Sequence, residues 1–471
     1  MLDEQDILVS DETLDDPGHV QHVLARRVEE ILHQAGDIDG ERRIVRLIVP
    51  MAPLDAPAWL AAQTLLPKIY WHGRRDSMVT AAVGEADRCM GGPDAGYGTL
   101  RAQLDAVLPK SDARARYFGG FRFDPSASDD EVWQGFPTFL FTLPRFAYLR
   151  NEDRGVLACN LILPRDLSRK DAILSDIERL RFPDHFAGAA FGAHMPLLLS
   201  RTDKPDQAGW GRGVGWALDA FAQSRRHLEK VVLARRTLLT FSESLDAFAL
   251  LKKLQGATPS CFHYGFQFEP GAALVGATPE RLFHRSGRYI RTEAVAGTCV
   301  RGDTEAEDAG ALASLLASAK DQREHAYVRE SIRTALDPLC QEFRIDEEAS
   351  GLQQARRWHL VSRSSGLLKR DIHGSDVMAA LHPTPAVGGY PVEPALAAIR
   401  DLEGFDRGWY AGPVGWIGPQ GAEFAVALRC GLVRDRTLFL FAGAGIVEGS
   451  DPMAEWNEIE QKISDILGVL E

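Results

Sequence analysis

The chain has 471 residues, enough for one large domain or two to three ordinary ones. Its 53 lysines and arginines are outnumbered by 66 aspartates and glutamates, and the net charge of −13 disfavours nucleic acid and anionic membranes as partners. The six cysteines are scattered, no secretory leader is visible, and no apolar run approaches the roughly 18 residues of a membrane span. We therefore expect a cytoplasmic protein without disulfides, structural zinc or a membrane span.

The first 205 residues are predicted to mix helices and strands. After a polar stretch over residues 1–20, the spacing of apolar residues predicts a helix in VQHVLARRVEEILHQA. Short strands are expected in RRIVRLIVPM, PKIYWHG and RYFGGFRFDP. TFLFTLPRFAYLRN and RGVLACNLILP are predicted to form an antiparallel pair. Residues 202–216, TDKPDQAGWGRGVGW, are rich in glycine and polar residues and predict a loop.

Beyond this predicted loop, strands alternate with a few long helices. KVVLARRTLLTF is predicted as a strand, and one long amphipathic helix is expected over residues 308–338. The predicted strands GWYAGPVGWIG, AEFAVALRCGLV and TLFLFAGAGIV lead into a final helix, SDPMAEWNEIEQK. Runs of strands separated by occasional helices predict an α+β, sheet-rich fold and argue against regular βαβ winding.

Two of the predicted helices each carry an acidic pair spaced three residues apart. Asp321 and Glu324 lie in SAKDQREHAYV, and Glu455 and Glu458 share one face of the final helix with Lys462. Mg²⁺ prefers a few carboxylate oxygens and keeps several of its waters. Solvated charge stripes are a commoner cause of such pairs, so a metal site and a solvated face both stay open at this point.

Two further residues have alternative interpretations. Lys230 begins a strongly β-prone run, where it is either a strand-edge lysine that reaches solvent or, in a closed pocket, a general base with a lowered pKa. Glu280 follows a turn in GATPERLF, where it is either half of a surface ion pair with Arg281 or a partly buried acid.

Three segments near the C-terminal end also carry candidate functions. Arg429 lies in the apolar run VALRCGL, where we expect a buried salt bridge or a bidentate clamp on a ligand carboxylate. GAGIVEG lacks the spacing of a dinucleotide loop, so Gly443 and Gly445 are predicted to let backbone N–H groups face a ligand carboxylate. LHPTPAVGGYP, over residues 381–391, is predicted to be a rigid structural loop.

A series of these segments resembles motifs of the chorismate-utilising enzymes, most closely those of isochorismate synthases. In chain order they are KVVLAR, GATPERL, TEAVAGTCVRG, SAKDQREHAYV, LHPTPAVGGYP, RGWYAGPVGW, VALR, FAGAGIV and SDPMAEW. The resemblance implies an α+β fold in which both halves of the chain interleave around one large β-sandwich flanked by helices. Residues 1–205 would contribute strands and helices to the shared sandwich, and residues 206–471 would form the chorismate-binding catalytic region.

By resemblance, the two acidic pairs form a Mg²⁺ site. Glu324 and Glu458 would ligate the metal directly, and Asp321 and Glu455 would hold its waters. The resemblance also implies a set of substrate-binding residues: Gly297, Thr298, His359, Tyr410, Arg429, Gly445 and Lys462. Gly297 and Thr298 would help the metal hold the ring carboxylate of chorismate. The enolpyruvyl carboxylate would be held by Tyr410, Arg429 and the amide of Gly445.

The implied reaction adds water at C2 of the ring while the C4 hydroxyl leaves, and its product would feed menaquinone, siderophore or salicylate synthesis. Lys230 fits the base that deprotonates the water, and Glu280 fits the acid that protonates the leaving group. These roles need a neutral lysine and a protonated glutamate near neutral pH, so burial should lower the first pKa and raise the second.

Several relatives would run a different reaction. Salicylate synthases share Lys230, Glu280 and the metal site, and they go on to eliminate pyruvate. Anthranilate synthases carry glutamine in place of Lys230, although HLVSRSSG here resembles their version of that segment. Aminodeoxychorismate synthases carry a nucleophilic lysine in place of Ala296. A non-catalytic chorismate-binding homologue is a further alternative. We expect an isochorismate synthase with chorismate as its small-molecule partner, no glutaminase subunit, and a monomeric state.

Overall fold

The computed structural model describes residues 6–9, 12–35, 42–74, 78–108, 115–126, 130–151, 153–183, 195–223, 227–353 and 357–470. The α-helices within these ranges are α1 (Pro17–Gln34), α2 (Ala56–Ala62), α3 (Tyr97–Val107), α4 (Lys170–Glu178), α5 (Gln207–Ala222), α6 (Ala247–Ala257), α7 (Glu305–Ala317), α8 (Ala319–Leu336), α9 (Gly374–Leu381), α10 (Val392–Leu402) and α11 (Pro452–Leu470). None of these described helices is long and apolar enough to cross a membrane.

The described strands are β1 (Asp6–Leu8), β2 (Arg43–Met51), β3 (Lys68–His72), β4 (Met78–Gly91), β5 (Tyr117–Phe121), β6 (Phe139–Asn151), β7 (Arg154–Leu163), β8 (Leu198–Lys204), β9 (Lys230–Phe241), β10 (Phe262–Glu269), β11 (Ala272–Thr278), β12 (Arg281–Ser286), β13 (Tyr289–Val300), β14 (Cys340–Ile345), β15 (Ser350–Gln353), β16 (Arg357–Leu368), β17 (Gly389–Tyr390), β18 (Pro413–Ile417), β19 (Gly421–Val426), β20 (Cys430–Arg434) and β21 (Thr437–Val447). Short 3₁₀ turns lie at Glu131–Trp133, Arg165–Arg169 and Asp337–Leu339.

Hydrogen bonds join these strands into one network that divides at the long β4–β6 pair. One branch continues through β3, β10, β11, β20, β21, β9 and β8. The other continues from β6 through β5, β18, β19, β12, β13 and β16. Trp409, just before β18, packs against Phe266 and Phe268 of β10 in the opposite branch. The predicted α+β fold with a large β-sandwich is therefore confirmed.

The two halves of the chain interleave within this network. In the first branch β3 pairs with β10, so that Tyr70 lies opposite Gly265. In the second branch β5 pairs with β18, so that Gly119 lies opposite Gly415. The sheet is therefore completed only when early and late segments of the chain pair with one another. The proposed division at residue 205 stays a prediction.

The prediction of a loop over residues 202–216 is wrong. This stretch forms the end of β8 and most of α5. Asp206 caps α5 by accepting a 2.7 Å hydrogen bond from the backbone N–H of Gly209. Trp210 and Val214 lie on its buried face, and the Trp210 indole donates to the Pro452 carbonyl at 3.1 Å. Burial of this apolar face outweighs the low helix propensity of glycine.

The single helix predicted over residues 308–338 is two helices, α7 and α8, separated at Ser318. Ser318 has extended backbone geometry, and its side chain accepts a hydrogen bond from the N–H of Asp321, so it caps α8. The apolar periodicity continues across Ser318, so the sequence pattern does not indicate the break. The break places Asp321 in the first turn of α8.

The buried ion pair between Arg122 and Asp406 joins the two halves of the chain, with a 2.7 Å N–O distance and side chains 7% and 2% exposed. We expect Arg122→Ala to lower the free energy of unfolding by about 3–5 kcal/mol, because it leaves the Asp406 carboxylate buried without its cation. Arg333→Ala, which breaks an exposed pair with Glu347, should cost much less, because solvent screens that pair. Denaturant unfolding of both variants checks this difference, and equal losses would contradict it.

Candidate active site

A cavity of about 360 Å³ lies between α8, α11 and the ends of β13 and β21. Every site residue predicted from the sequence lines it except Lys230, namely Glu280, Gly297, Thr298, Asp321, Glu324, His359, Tyr410, Arg429, Gly445, Glu455, Glu458 and Lys462. Lys230, the first residue of β9, is fully buried beside the wall, with its Nζ 2.8 Å from Glu324 Oε1. Residues far apart in sequence thus meet at one place.

Four of the acidic residues that line the cavity come from α8 and α11, and lysines lie among them. Three close contacts join these groups: Lys230 to Glu324 at 2.8 Å, Lys320 to Glu455 at 3.3 Å, and Lys462 to Glu458 at 2.7 Å. In this arrangement, no group of three His, Cys, Asp or Glu side chains among the described residues is close enough to hold a metal ion. The donor chemistry, carboxylate oxygens from two helices facing one cavity, is nevertheless the kind that Mg²⁺ prefers.

The pKa values of the two carboxyls of α11, Glu455 and Glu458, are shifted in opposite directions. Burial raises the pKa of Glu455, and the nearby Lys320 only partly opposes this effect. Burial would also raise the pKa of Glu458, but the charge and hydrogen bond of Lys462 outweigh it and hold this pKa below its usual value. The contact with Lys462 therefore gives Glu458 a lowered pKa, whereas Glu455 has a raised one.

Glu280 lies at the turn between β11 and β12, where its N–H donates to Thr278 Oγ1 at 3.3 Å. Burial raises the pKa of its carboxyl to about 7. Lys230 and Lys462 oppose this shift, and the negative charge of Glu293 adds to it. The direction agrees with the sequence-based expectation, and a carboxyl with this pKa can donate a proton near neutral pH.

His359 is held as a neutral imidazole beside the cavity. Burial, with the charges of Arg429 and Arg357, lowers its pKa to about 3. Its Nδ1 lies 2.8 Å from Thr298 Oγ1, and its buried Nε2 has no hydrogen-bond partner among the residues that the structure describes. Because a buried polar atom without a partner is costly, Nε2 is available to a ligand.

Gly297 occupies a bulge in β13, where the register with β16 shifts between Ala296 and Thr298. Its φ of +77° favours glycine, and a Cβ atom there would lie 3.1 Å from the Cβ of Asp321. The bulge therefore lets the backbone at this point approach the first turn of α8.

The cavity wall also includes Arg429, Tyr410 and Gly445. The expectation that Arg429 lies within a strand is wrong, because it connects β19 to β20 with a left-handed φ of +46°. Burial lowers the pKa of its guanidinium. The ring of Tyr410 stacks on Phe441 with centroids 5.3 Å apart. A side chain at Gly445 would lie 3.1 Å from both Glu324 Oε1 and Lys230 Cε.

Sequence analysis missed several residues of this cavity. Lys320 lies directly before Asp321 in SAKDQREHAYV, and this position in a motif could have marked it as a residue of the site. Arg357, at the start of β16, donates to Asp465 at 3.2 Å, and no local pattern marks it. Val387 lines the cavity although its segment, LHPTPAVGGYP, was predicted to be purely structural.

The close packing at Gly445 gives a testable expectation. Gly445→Ala should lower the free energy of unfolding by about 1 kcal/mol, because the added methyl group displaces the Lys230–Glu324 pair. Gly215→Ala is the matched control, since no atom lies within 4 Å of the added methyl and α5 gains roughly 0.5–1 kcal/mol of helix propensity. Thermal unfolding should therefore move in opposite directions for the two variants. A stabilised Gly445→Ala protein would contradict this.

The model of the chorismate binding enzyme family matches residues 30–471. Isochorismate synthase 2, a chloroplastic protein of Arabidopsis thaliana, is 34% identical over a 463-residue alignment covering 91% of this chain and 81% of the relative. A salicylate biosynthesis isochorismate synthase of Pseudomonas aeruginosa is 33% identical, with 94% of this chain and 93% of the relative covered. The solved structure of the menaquinone-specific isochorismate synthase of Escherichia coli matches with a TM-score of 0.80 at 27% identity, covering 95% of this chain and 100% of that one.

These matches cover both halves of the chain, including the segments that pair β3 with β10 and β5 with β18. They also extend through both acidic helices and the turn that carries Glu280. The chain is therefore a member of the chorismate-binding enzyme family, within which it belongs with the isochorismate synthases.

Proposed function

We propose that this protein converts chorismate to isochorismate in the cavity lined by the two acidic pairs, with Mg²⁺ as cofactor. One observation carries the proposal: a carboxyl with a pKa of about 7, Glu280, shares one cavity with the two acidic pairs and a buried arginine. Proton donation, metal binding and carboxylate recognition are the three capacities that this isomerisation requires. The names of the isochorismate synthase relatives agree with the proposal.

The substrate is a dianion, and positively charged side chains of the cavity would bind it. Arg429, Tyr410 and the amide of Gly445 would hold the enolpyruvyl carboxylate at one end. The backbone of Gly297 and the hydroxyl of Thr298 would bind the ring carboxylate, and Lys462 would lie near that end. His359 Nε2 would face the ring. Cationic side chains around the cavity allow a chain with a net charge of −13 to bind such a ligand.

Glu324 and Glu458 would ligate Mg²⁺, and Asp321 and Glu455 would hold its waters. When bound, Mg²⁺ supplies positive charge for the ring carboxylate of chorismate. Lys230 and Lys462 now pair with the two proposed ligands, at 2.8 and 2.7 Å. Each of these lysines would have to share or leave its carboxylate when the metal binds.

Glu280 would protonate the C4 oxygen as its bond to the ring breaks, so that this group departs as water. Lys230 would take a proton from the water whose oxygen bonds to C2, and the ring double bonds shift between the two positions. One water enters and one leaves, so the reaction is an isomerisation. The base role needs the neutral amine of Lys230 with access to the cavity, whereas Lys230 here pairs with Glu324 beside the wall.

The remaining expectations stay predictions. They concern the pathway that uses the product, a cytoplasmic location, a monomeric state and the absence of a glutaminase subunit. The named relatives include a menaquinone-specific enzyme and one of salicylate biosynthesis, so they support no single pathway.

Product analysis tests the proposed reaction. Chorismate and Mg²⁺ incubated with the protein should give isochorismate by chromatography, EDTA should abolish its formation, and excess Mg²⁺ should restore it. Ammonium salts are included as a control, because formation of anthranilate would contradict the proposed use of water. Release of pyruvate with salicylate would instead identify a salicylate synthase.

Replacing the proposed acid and base should impair turnover much more than binding. We expect Glu280→Gln and Lys230→Ala each to lower kcat by roughly 10²–10⁴-fold, with the KM for chorismate nearly unchanged. Because the acid must be protonated, kcat/KM of the parent protein should fall as pH rises above about 7. Glu30→Gln, which breaks an exposed pair on α1, is the control. Full turnover in Glu280→Gln would contradict the acid assignment.

A further inference from the structure

A buried ion pair lies directly behind the turn that carries Glu280. Arg74, which follows β3, donates one guanidinium N–H to the carbonyl oxygen of Pro279 at 2.6 Å. A second guanidinium nitrogen pairs with the carboxylate of Glu293 on β13. The two side chains are only 10% and 7% exposed. One guanidinium therefore connects the residue before Glu280 to the strand that carries Gly297.

The contacts of Arg74 place Glu293 near the turn that carries Glu280. One guanidinium contacts both the Glu293 carboxylate and the carbonyl oxygen of Pro279, the residue that precedes Glu280. The negative charge of Glu293 accordingly raises the pKa of the Glu280 carboxyl.

We propose that Arg74 and Glu293 are positioning residues: Arg74 holds the Glu280 turn in place, and Glu293 favours the protonated form of the Glu280 carboxyl for the departing hydroxyl group. The inference rests on the proposed function, because it assumes that Glu280 is the acid. Neither residue is assigned a contact with chorismate or with Mg²⁺.

The charges around Glu280 support this role. After burial, the largest influences on its pKa are Lys230 of β9 and Lys462 of α11, which lower it, and Glu293 of β13, which raises it. The phenol of Tyr410 also faces this carboxyl. Glu293 thus opposes the two lysines, and the proton stays on Glu280 to higher pH than it otherwise would.

The chemistry of arginine suits the bridging position of Arg74. Its planar fork can serve a carbonyl and a carboxylate at the same time, which a lysine ammonium does poorly. The guanidinium lies 5.6 Å from the ring centroid of Phe262, whose position on β10 further restricts its orientation. The early part of the chain thereby reaches a group next to the catalytic acid.

Glu293→Gln tests the electrostatic part of the proposal, since it keeps the shape and an acceptor oxygen but removes the charge. Glu280 should then lose its proton at lower pH. The pH above which kcat/KM falls, the alkaline limb of the profile, should therefore be lower by about half to one pH unit. An uncompensated charge would shift it by roughly 1–3 units, but Arg74 neutralises part of the charge of Glu293. Glu347→Gln, on an exposed pair with Arg333, should leave the limb in place.

Arg74→Lys tests the positional part. One ammonium cannot hold both Pro279 and Glu293, so kcat should fall about tenfold while the KM for chorismate stays unchanged. If this variant does not fold, Arg74→Met combined with Glu293→Gln removes both charges together. Its alkaline limb should move less than that of Glu293→Gln alone, because no unpaired cation is left beside Glu280.

An unmoved limb in Glu293→Gln together with full kcat in Arg74→Lys would overturn the inference and leave the pair as a purely structural contact. Glu280→Gln, assayed in parallel, separates this result from a failure of the proposed function. If Glu280→Gln loses turnover while Glu293→Gln keeps the parent pH profile, only the inference is wrong. If Glu280→Gln keeps full turnover, the acid assignment is wrong and the inference fails with it.

Discussion

Mutual repulsion among four carboxylates is the constraint on which the site depends. Two helices direct these acids into one cavity, where their like charges repel one another. Lysines offset that cost: Lys230, Lys320 and Lys462 each contact one of the acids. The proposed Mg²⁺ would supply charge of the same sign at the same place. Lysine and the proposed metal would therefore compete for carboxylate oxygens.

The same lysines connect the acidic cluster to the proposed catalytic acid. Lys230 contacts Glu324 and also lowers the pKa of Glu280, and Lys462 does the same from its contact with Glu458. A change in the charge of either carboxylate thus alters the field at Glu280. Proton donation by Glu280 and the proposed binding of Mg²⁺ would therefore be coupled electrostatically, without a hydrogen bond between Glu280 and either carboxylate.

The interleaved sheet explains why such a site needs nearly the whole chain. Strands β3 and β5, from the early part, pair with β10 and β18, from the late part. The Arg122–Asp406 pair and the Arg74–Glu293 pair add buried charge contacts across the same boundary. The walls that carry the proposed substrate-binding residues are therefore held by contacts between segments hundreds of residues apart, and neither half completes the sheet alone.

The sequence by itself determined the α+β class, the strand that begins at Lys230 and the acidic pairs on two helices, because side-chain periodicity and local motifs carry that information. It did not reveal the break at Ser318, the left-handed φ of Arg429 or the part of helix α5 before residue 217, since packing and capping decide these against local preference. Only the tertiary structure decided which cation neutralises which acid. Arg74 and Glu293 are 219 residues apart, and no local pattern can pair them. Their contact exists only because separate strands of one sheet bring the two charges together.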